Sequence, residues 1–276
     1  MLNALVDTPD KLLQLKENKP LITIQPESYS NELNAIYILP RNHQKPHQKD
    51  SILLFIHGGG YWHGPMQKTL DACETLSKRL RTNTDVALIT YPLAPKCQFP
   101  DNINFTEQFI KRAITNLSRQ YKNIFLCGES SGANLACAIL LKGNINDITG
   151  LILLSPSLDY YKQDYPSKMK QLYPNNKIRS FLAKQYLPEK IDRTHELVSP
   201  IYSKHLKCLP PLIIFTSEKD PFRDESHHFH RKVKFYGNKA DIFEYELGCH
   251  NFFSYKLEPC FTMTTQHINT FIKNLV

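Results

Sequence analysis

The sequence predicts an α/β fold, a mostly parallel central sheet flanked by helices, with one helical insertion acting as a lid. Three observations carry this. Short apolar runs of strand length alternate with helix-period segments along most of the chain. Those runs are continuous rather than alternating in polarity, as strands covered on both faces are. One stretch, 158–190, interrupts the alternation and has no strand pattern of its own.

The elements follow in order. Residues 35–39 (Ala-Ile-Tyr-Ile-Leu) read as an antiparallel edge strand, and the polar stretch 41–50 as a surface loop. Buried strands are expected over 51–56, 85–91, 123–127, 148–155, 212–216 and 242–247. Helices are expected over 67–80, 103–117, 133–141, 224–234 and 262–275. Strand–helix alternation of this kind gives a parallel sheet covered on both sides. In such sheets the reactive site lies off the carboxyl ends of the strands. The interrupting stretch carries Tyr160, Tyr161, Tyr165, Tyr173, Phe181 and Tyr186, and a surplus of four positive charges, half the net charge of +8. It reads as a lid over the strand ends, spanning 158–200 inside a single domain of 1–276.

Composition bounds the function. A chain of 276 residues with 41% hydrophobic content buries a sizeable core without disulfides or metal. Its pI is near 9.0, but Lys and Arg are spread along it with no five-residue basic block. That argues against a nucleic-acid partner. No apolar run approaches the roughly 18–20 residues that span a bilayer, so stable membrane insertion is not expected. The opening segment meets Asp7 and Asp10 at once and lacks a basic-then-apolar leader pattern. The seven cysteines are odd in number and contain no C-x-x-C. Together these predict reduced thiols and a cytoplasmic protein. A homodimer is left open.

Glycine is scarce, only ten residues, yet five fall in two places: Gly58-Gly59-Gly60 and Gly128/Gly132. Concentrated glycine marks backbone that needs unusual dihedrals or close approach. Gly128-Glu129-Ser130-Ser131-Gly132 is a G-x-S-x-G between an expected strand and an expected helix, the context that gives the motif meaning. A sharp turn there holds Ser130 in strained geometry and lifts its hydroxyl above the sheet. The following helix points its N-terminus at the site, where its partial positive charge favours a developing oxyanion. His57-Gly58-Gly59-Gly60-Tyr61-Trp62 follows the strand at 51–56, and its glycines free backbone N–H groups for a substrate oxygen. His57 reads as a structural hydrogen-bonder to this loop.

A serine hydroxyl needs a base and an orienting acid. In this arrangement the chain order is Ser, acid, His. Asp220, in the turn after the strand at 212–216, is the leading acid, with Asp224 and Glu218 as rivals. His250, just past the strand at 242–247, is the leading base. His227, His228 and His230 read as a solvated helix face, because no Cys or carboxylate set completes a metal site.

Together these residues resemble the hormone-sensitive-lipase-like branch of the α/β hydrolases, also called family IV lipolytic enzymes. The matching pieces are His57-Gly58-Gly59-Gly60, Tyr91-Pro92-Leu93-Ala94-Pro95 with Phe99-Pro100, Gly128 to Ala136, Leu209-Pro210-Pro211, Asp220 to Glu225, and His250-Asn251-Phe252. They keep family order across 51–253. The resemblance implies an α/β-hydrolase fold with Ser130 as nucleophile, His250 as general base and Asp220 as its partner. It implies an oxyanion hole made by the N–H groups of Gly59, Gly60 and Ser131. It implies no metal, no organic cofactor, and a small-molecule ester of short to medium acyl chain as substrate. Tyr61, Trp62 and Glu129 are the pocket candidates, and the basic lid, including Lys168 and Lys170, is expected to favour anionic or polar substrates.

There are departures. Glu129 and Ser131 stand where Asp and Ala are commoner, Pro92 where Arg is, and Asn251 where Gly is. The segment before the first glycine motif is short, which bears on substrate size. The stretch around His57–Trp62 is also similar to kynurenine formamidase. Amidase, deacetylase and aryl formamidase activities share every residue named and stay open as alternatives. A non-catalytic ligand-binding protein on the same fold is the remote alternative.

Overall fold

The computed structural model describes residues 22–24, 34–38, 50–162 and 174–276. Eight strands form one sheet: β1 (Ile22–Ile24), β2 (Asn34–Ile38), β3 (Ser51–Ile56), β4 (Thr84–Ile89), β5 (Asn123–Glu129), β6 (Gly150–Leu154), β7 (Leu212–Lys219) and β8 (Ala240–Cys249). Their spatial order is β1-β2-β4-β3-β5-β6-β7-β8. The six strands from β3 to β8 are mutually parallel, while β1 and β2 pair antiparallel. The expectation of an antiparallel strand near 35–39 holds, but β2 is not the edge. The three residues of β1 lie outside it, a run too short to show a period in the sequence.

The described α-helices are α1 (Gln67–Arg79), α2 (Asp101–Leu117), α3 (Ser131–Leu141), α4 (Asn176–Tyr186), α5 (Arg223–Phe235) and α6 (Cys260–Leu275), with short 3-10 turns at Pro200–Tyr202 and Leu206–Cys208. Successive strand residues point to opposite faces, so each continuous apolar run feeds two cores. Ile52, Leu54 and Ile56 of β3 join one core with residues of α2, α3 and α5. Leu53 and Phe55 join the other with Leu70 and Leu76 of α1 and Ile268 and Ile272 of α6. Every residue of α3 is buried, and apart from Ser131 and Asn134 its sequence is small or apolar on all sides.

The stretch expected to act as a lid, 158–200, lies partly outside the described residues. Tyr165, Tyr173, Lys168 and Lys170 are among those outside. Its described helix, α4, begins at a capping Asn175, whose side chain accepts from the N–H groups of Lys177 and Ile178. Among the described residues no helix is long and apolar enough to cross a membrane. The seven cysteines are free.

Candidate active site

Ser130 sits at the junction of β5 and α3 with φ 56° and ψ −117°. A non-glycine residue there is strained and persists only where its surroundings over-determine it. Here the flanking glycines do so. A Cβ on Gly132 would lie 2.3 Å from the Ile56 carbonyl oxygen, and one on Gly128 would lie 2.4 Å from that of Gly132. The Ser130 N–H is held by the Leu154 carbonyl at 2.9 Å. The turn therefore cannot relax, and the hydroxyl stands above the carboxyl ends of the strands.

His250, in the turn after β8, reaches that hydroxyl. Its Nε2 lies 2.9 Å from Ser130 Oγ, and its Nδ1–H donates to Asp220 Oδ1 at 3.0 Å. With the proton fixed on Nδ1, Nε2 is an acceptor for the serine proton. Asp220 is fully buried in the turn after β7, and the same Oδ1 takes the Phe222 N–H at 2.9 Å. The rivals lie elsewhere: the Asp224 side chain is half exposed beside Arg223, and Glu218 is exposed. His227 bonds Glu244 at 2.5 Å. Among the described residues no cluster of three or more His, Cys, Asp or Glu could hold a metal.

The glycine loop follows β3. Gly59 and Gly60 have φ of 128° and 64°, conformations that favour glycine. His57 anchors the loop: its ring donates to the Gly58 carbonyl at 2.6 Å and stacks on Tyr91 at 4.4 Å. Burial pulls its pKa down to about 3, so the ring is neutral at working pH and serves as a spacer rather than a charge.

A cavity of about 70 Å³ opens at Ser130. Gly58, Gly59, Gly60, Glu129, Ser131 and His250 line it, as do Tyr160, Arg179, Leu182, Phe222 and Tyr255. Tyr61 and Trp62 do not. Tyr61, with φ 62°, turns its ring inward, where it is fully buried, stacks on Tyr186 at 3.8 Å and donates to Asn134 Oδ1 at 2.7 Å. Trp62 meets Phe181 edge-on at 5.4 Å. Both brace the roof instead of forming the wall. Glu129 lines the cavity but is almost wholly buried. Its carboxyl accepts the Ser254 N–H at 3.2 Å and also the Ser254 hydroxyl, and burial pushes its pKa up.

Sequence reasoning did not single out Arg179, Leu182, Phe222 or Tyr255 as lining residues. Phe222 lies within the Asp220 to Glu225 motif, where its type gives no sign that it faces the cavity. The others come from distant segments and left no local signal.

Comparison with known proteins agrees with this architecture. A family model described as the alpha/beta hydrolase fold matches residues 53–254. An esterase from Acinetobacter venetianus is 27% identical over 246 residues, covering 87% of this chain and 77% of its own length. A gibberellin receptor from Arabidopsis thaliana is 25% identical over 237 residues, covering 80% and 68%. A hyperthermophilic esterase from the archaeon Pyrobaculum calidifontis superposes with a TM-score of 0.79 at 21% identity, covering 96% of this chain and 90% of its own. That likeness speaks for the fold. The chain belongs to the alpha/beta hydrolase fold family, on its hormone-sensitive-lipase-like, carboxylesterase-type side.

Proposed function

We propose that this protein is a serine hydrolase that cleaves small carboxylic esters of short to medium acyl chain through an acyl-enzyme. The observation that carries the reading is the unbroken relay from Ser130 Oγ to His250 Nε2 and from His250 Nδ1 to Asp220 Oδ1, placed at the wall of a small cavity.

Ser130 Oγ attacks the ester carbonyl as its proton passes to His250 Nε2. Asp220 keeps the imidazole in the tautomer that can accept, and offsets the charge it acquires. Backbone N–H groups of the glycine loop and of the α3 N-terminus receive the oxyanion. His250 returns the proton to the leaving alcohol. A water, deprotonated by the same ring, then releases the acid and restores Ser130. No metal or organic cofactor enters this scheme.

The cavity volume supports short chains, since each water-sized sphere takes about 10–15 Å³. Segment 158–200 acts as the lid, with α4 placing Arg179 and Leu182 at the cavity wall. Free thiols throughout fit a cytoplasmic setting.

The test is hydrolysis of p-nitrophenyl esters of rising acyl length by wild type and Ser130→Ala. We expect turnover that peaks at short chains and is lost on substitution. Serine-independent turnover would overturn the mechanism. Absence of ester turnover, with cleavage of an anilide or aryl formamide, would move the reading to an amidase.

A further inference from the structure

The Ser131 hydroxyl is buried beneath the glycine loop. Its Oγ accepts the N–H of Gly60 at 2.9 Å and, at longer range, that of Tyr61 at 3.4 Å. Gly60 and Tyr61 both have positive φ, 64° and 62°. Consecutive N–H groups in such backbone can converge on one point, the concave arrangement that binds anionic oxygen elsewhere. Here a hydroxyl of the same chain fills it. The Gly60 N–H, expected to face substrate, is thus already committed. Among the described residues, the N–H groups of Gly59 and Ser131 make no hydrogen bond.

We infer that the Ser131 hydroxyl takes the Gly60 N–H out of the oxyanion hole. That leaves the N–H groups of Gly59 and Ser131 as its resting donors. Ser131 is then a positioning residue that sets the strength of the hole. This rests on the serine-esterase reading above.

The loop does not need Ser131 Oγ to keep its shape. Trp62 N–H and His63 N–H donate to the Gly59 carbonyl at 3.1 and 3.2 Å, and Ala94 N–H donates to that of Tyr61 at 2.8 Å. The Tyr61 ring is fixed by Tyr186 and Asn134. With the hydroxyl removed, the N–H groups of Gly60 and Tyr61 both lose their acceptor, and the oxyanion supplies a new one at the moment of reaction to Gly60, the one of the two that lines the cavity. A donor engaged only in the transition state raises kcat and leaves ground-state binding alone.

The experiment compares wild type, Ser131→Ala and Ser131→Thr on p-nitrophenyl acetate, and measures inhibition by a trifluoromethyl ketone. Ser130 Oγ–H adds across the ketone carbonyl, its proton passing to His250, and leaves an oxyanion in the hole. Full loss of one such donor typically changes kcat by about 10²–10³, and we expect a gain of about tenfold here because the Gly60 N–H must turn from its present direction. KM should stay within about twofold and Ki for the ketone should fall in step with the rise in kcat. Ser131→Thr, which keeps the hydroxyl, should show no gain in kcat over wild type. If Ser131→Ala does not fold, Ser131→Cys, whose sulfur is a weak acceptor, should show the same direction with a smaller gain. A lowered or unchanged kcat in Ser131→Ala, or an equal gain in Ser131→Thr, would overturn the inference while leaving the esterase reading intact. Absence of Ser130-dependent turnover in wild type would remove both.

Discussion

Arg179 and Glu225 pair at 2.8 Å inside the fold, with side chains only 7% and 5% exposed. Glu225, at the start of α5, also accepts the N–H groups of Leu158 and Asp159 at 2.8 and 3.0 Å. The Arg179 guanidinium lies 4.3 Å over the Phe222 ring, and Phe222 packs 4.7 Å from His250. One carboxylate therefore ties Leu158 and Asp159, helix α4 and the turn that carries Asp220. Burial pushes the Glu225 carboxyl up, while the two backbone N–H groups hold it back.

Breaking this pair from one side leaves a buried charge uncompensated. Arg179→Met keeps the volume and the packing on Phe222 but removes the partner. It is expected to destabilise the fold by about 3–5 kcal/mol, the range for a buried ion pair deprived of one member. Urea denaturation of the two proteins measures it. A loss below about 1 kcal/mol, typical of an exposed pair, would show that water already reaches the carboxylate.

How much of this was legible in the chain depends on how local each signal is. The strand at 51–56 coincides with β3, and the helices at 67–80 and 262–275 fall within one or two residues of α1 and α6. Each is fixed by its own apolar period and its own ends. Ser130 was legible because strand, turn and helix are adjacent in sequence. Asp220 and His250 were legible because each follows a strand end. The pocket was not. Tyr61 looked like a wall residue because it follows the glycines, but its positive φ turns it inward onto Tyr186, 125 positions later. Ser131 was expected to offer only its N–H. That its side chain would accept from Gly60, 71 residues away, depends on a register between loop and helix that no local pattern encodes.

The buried His57 gives the fold an acid limit. Its pKa is about 3 when folded and 6.5 as a free group, with burial the main cause. Below about 6.5 the unfolded chain takes up a proton that the folded chain refuses until about 3, so the unfolded state binds more protons in that window. Stability contributed by the neutral ring is complete above the upper value and is lost as pH falls towards the lower one. At pH 5 the loss amounts to roughly 2 kcal/mol. His57→Asn keeps a donor near the Gly58 carbonyl and cannot titrate. Its unfolding free energy should fall less than that of wild type between pH 7 and pH 5. Parallel pH profiles for the two proteins would exclude His57 as the source.

Leu182 is the residue expected to limit acyl length. It lines the cavity and presses on the glycine loop so closely that a Cβ on Gly60 would lie 2.5 Å from its Cδ1. Its neighbours Phe181 and Tyr186 hold α4 down on Trp62 and Tyr61, so the helix cannot lift to admit a longer chain without losing those contacts. Leu182→Ala removes three carbons from the wall and leaves the clamps in place. Each buried methylene of substrate is worth about 0.8 kcal/mol, close to fourfold in kcat/KM. Room for two more methylenes should therefore raise the ratio of hexanoate to acetate ester kcat/KM by about tenfold or more. Phe181→Ala, on the outer side of the same helix, leaves the cavity wall and the Tyr186 clamp in place and should shift that ratio much less. If both substitutions shift it equally, the cause is a loosened α4. If neither does, the acyl chain runs along another wall of the cavity.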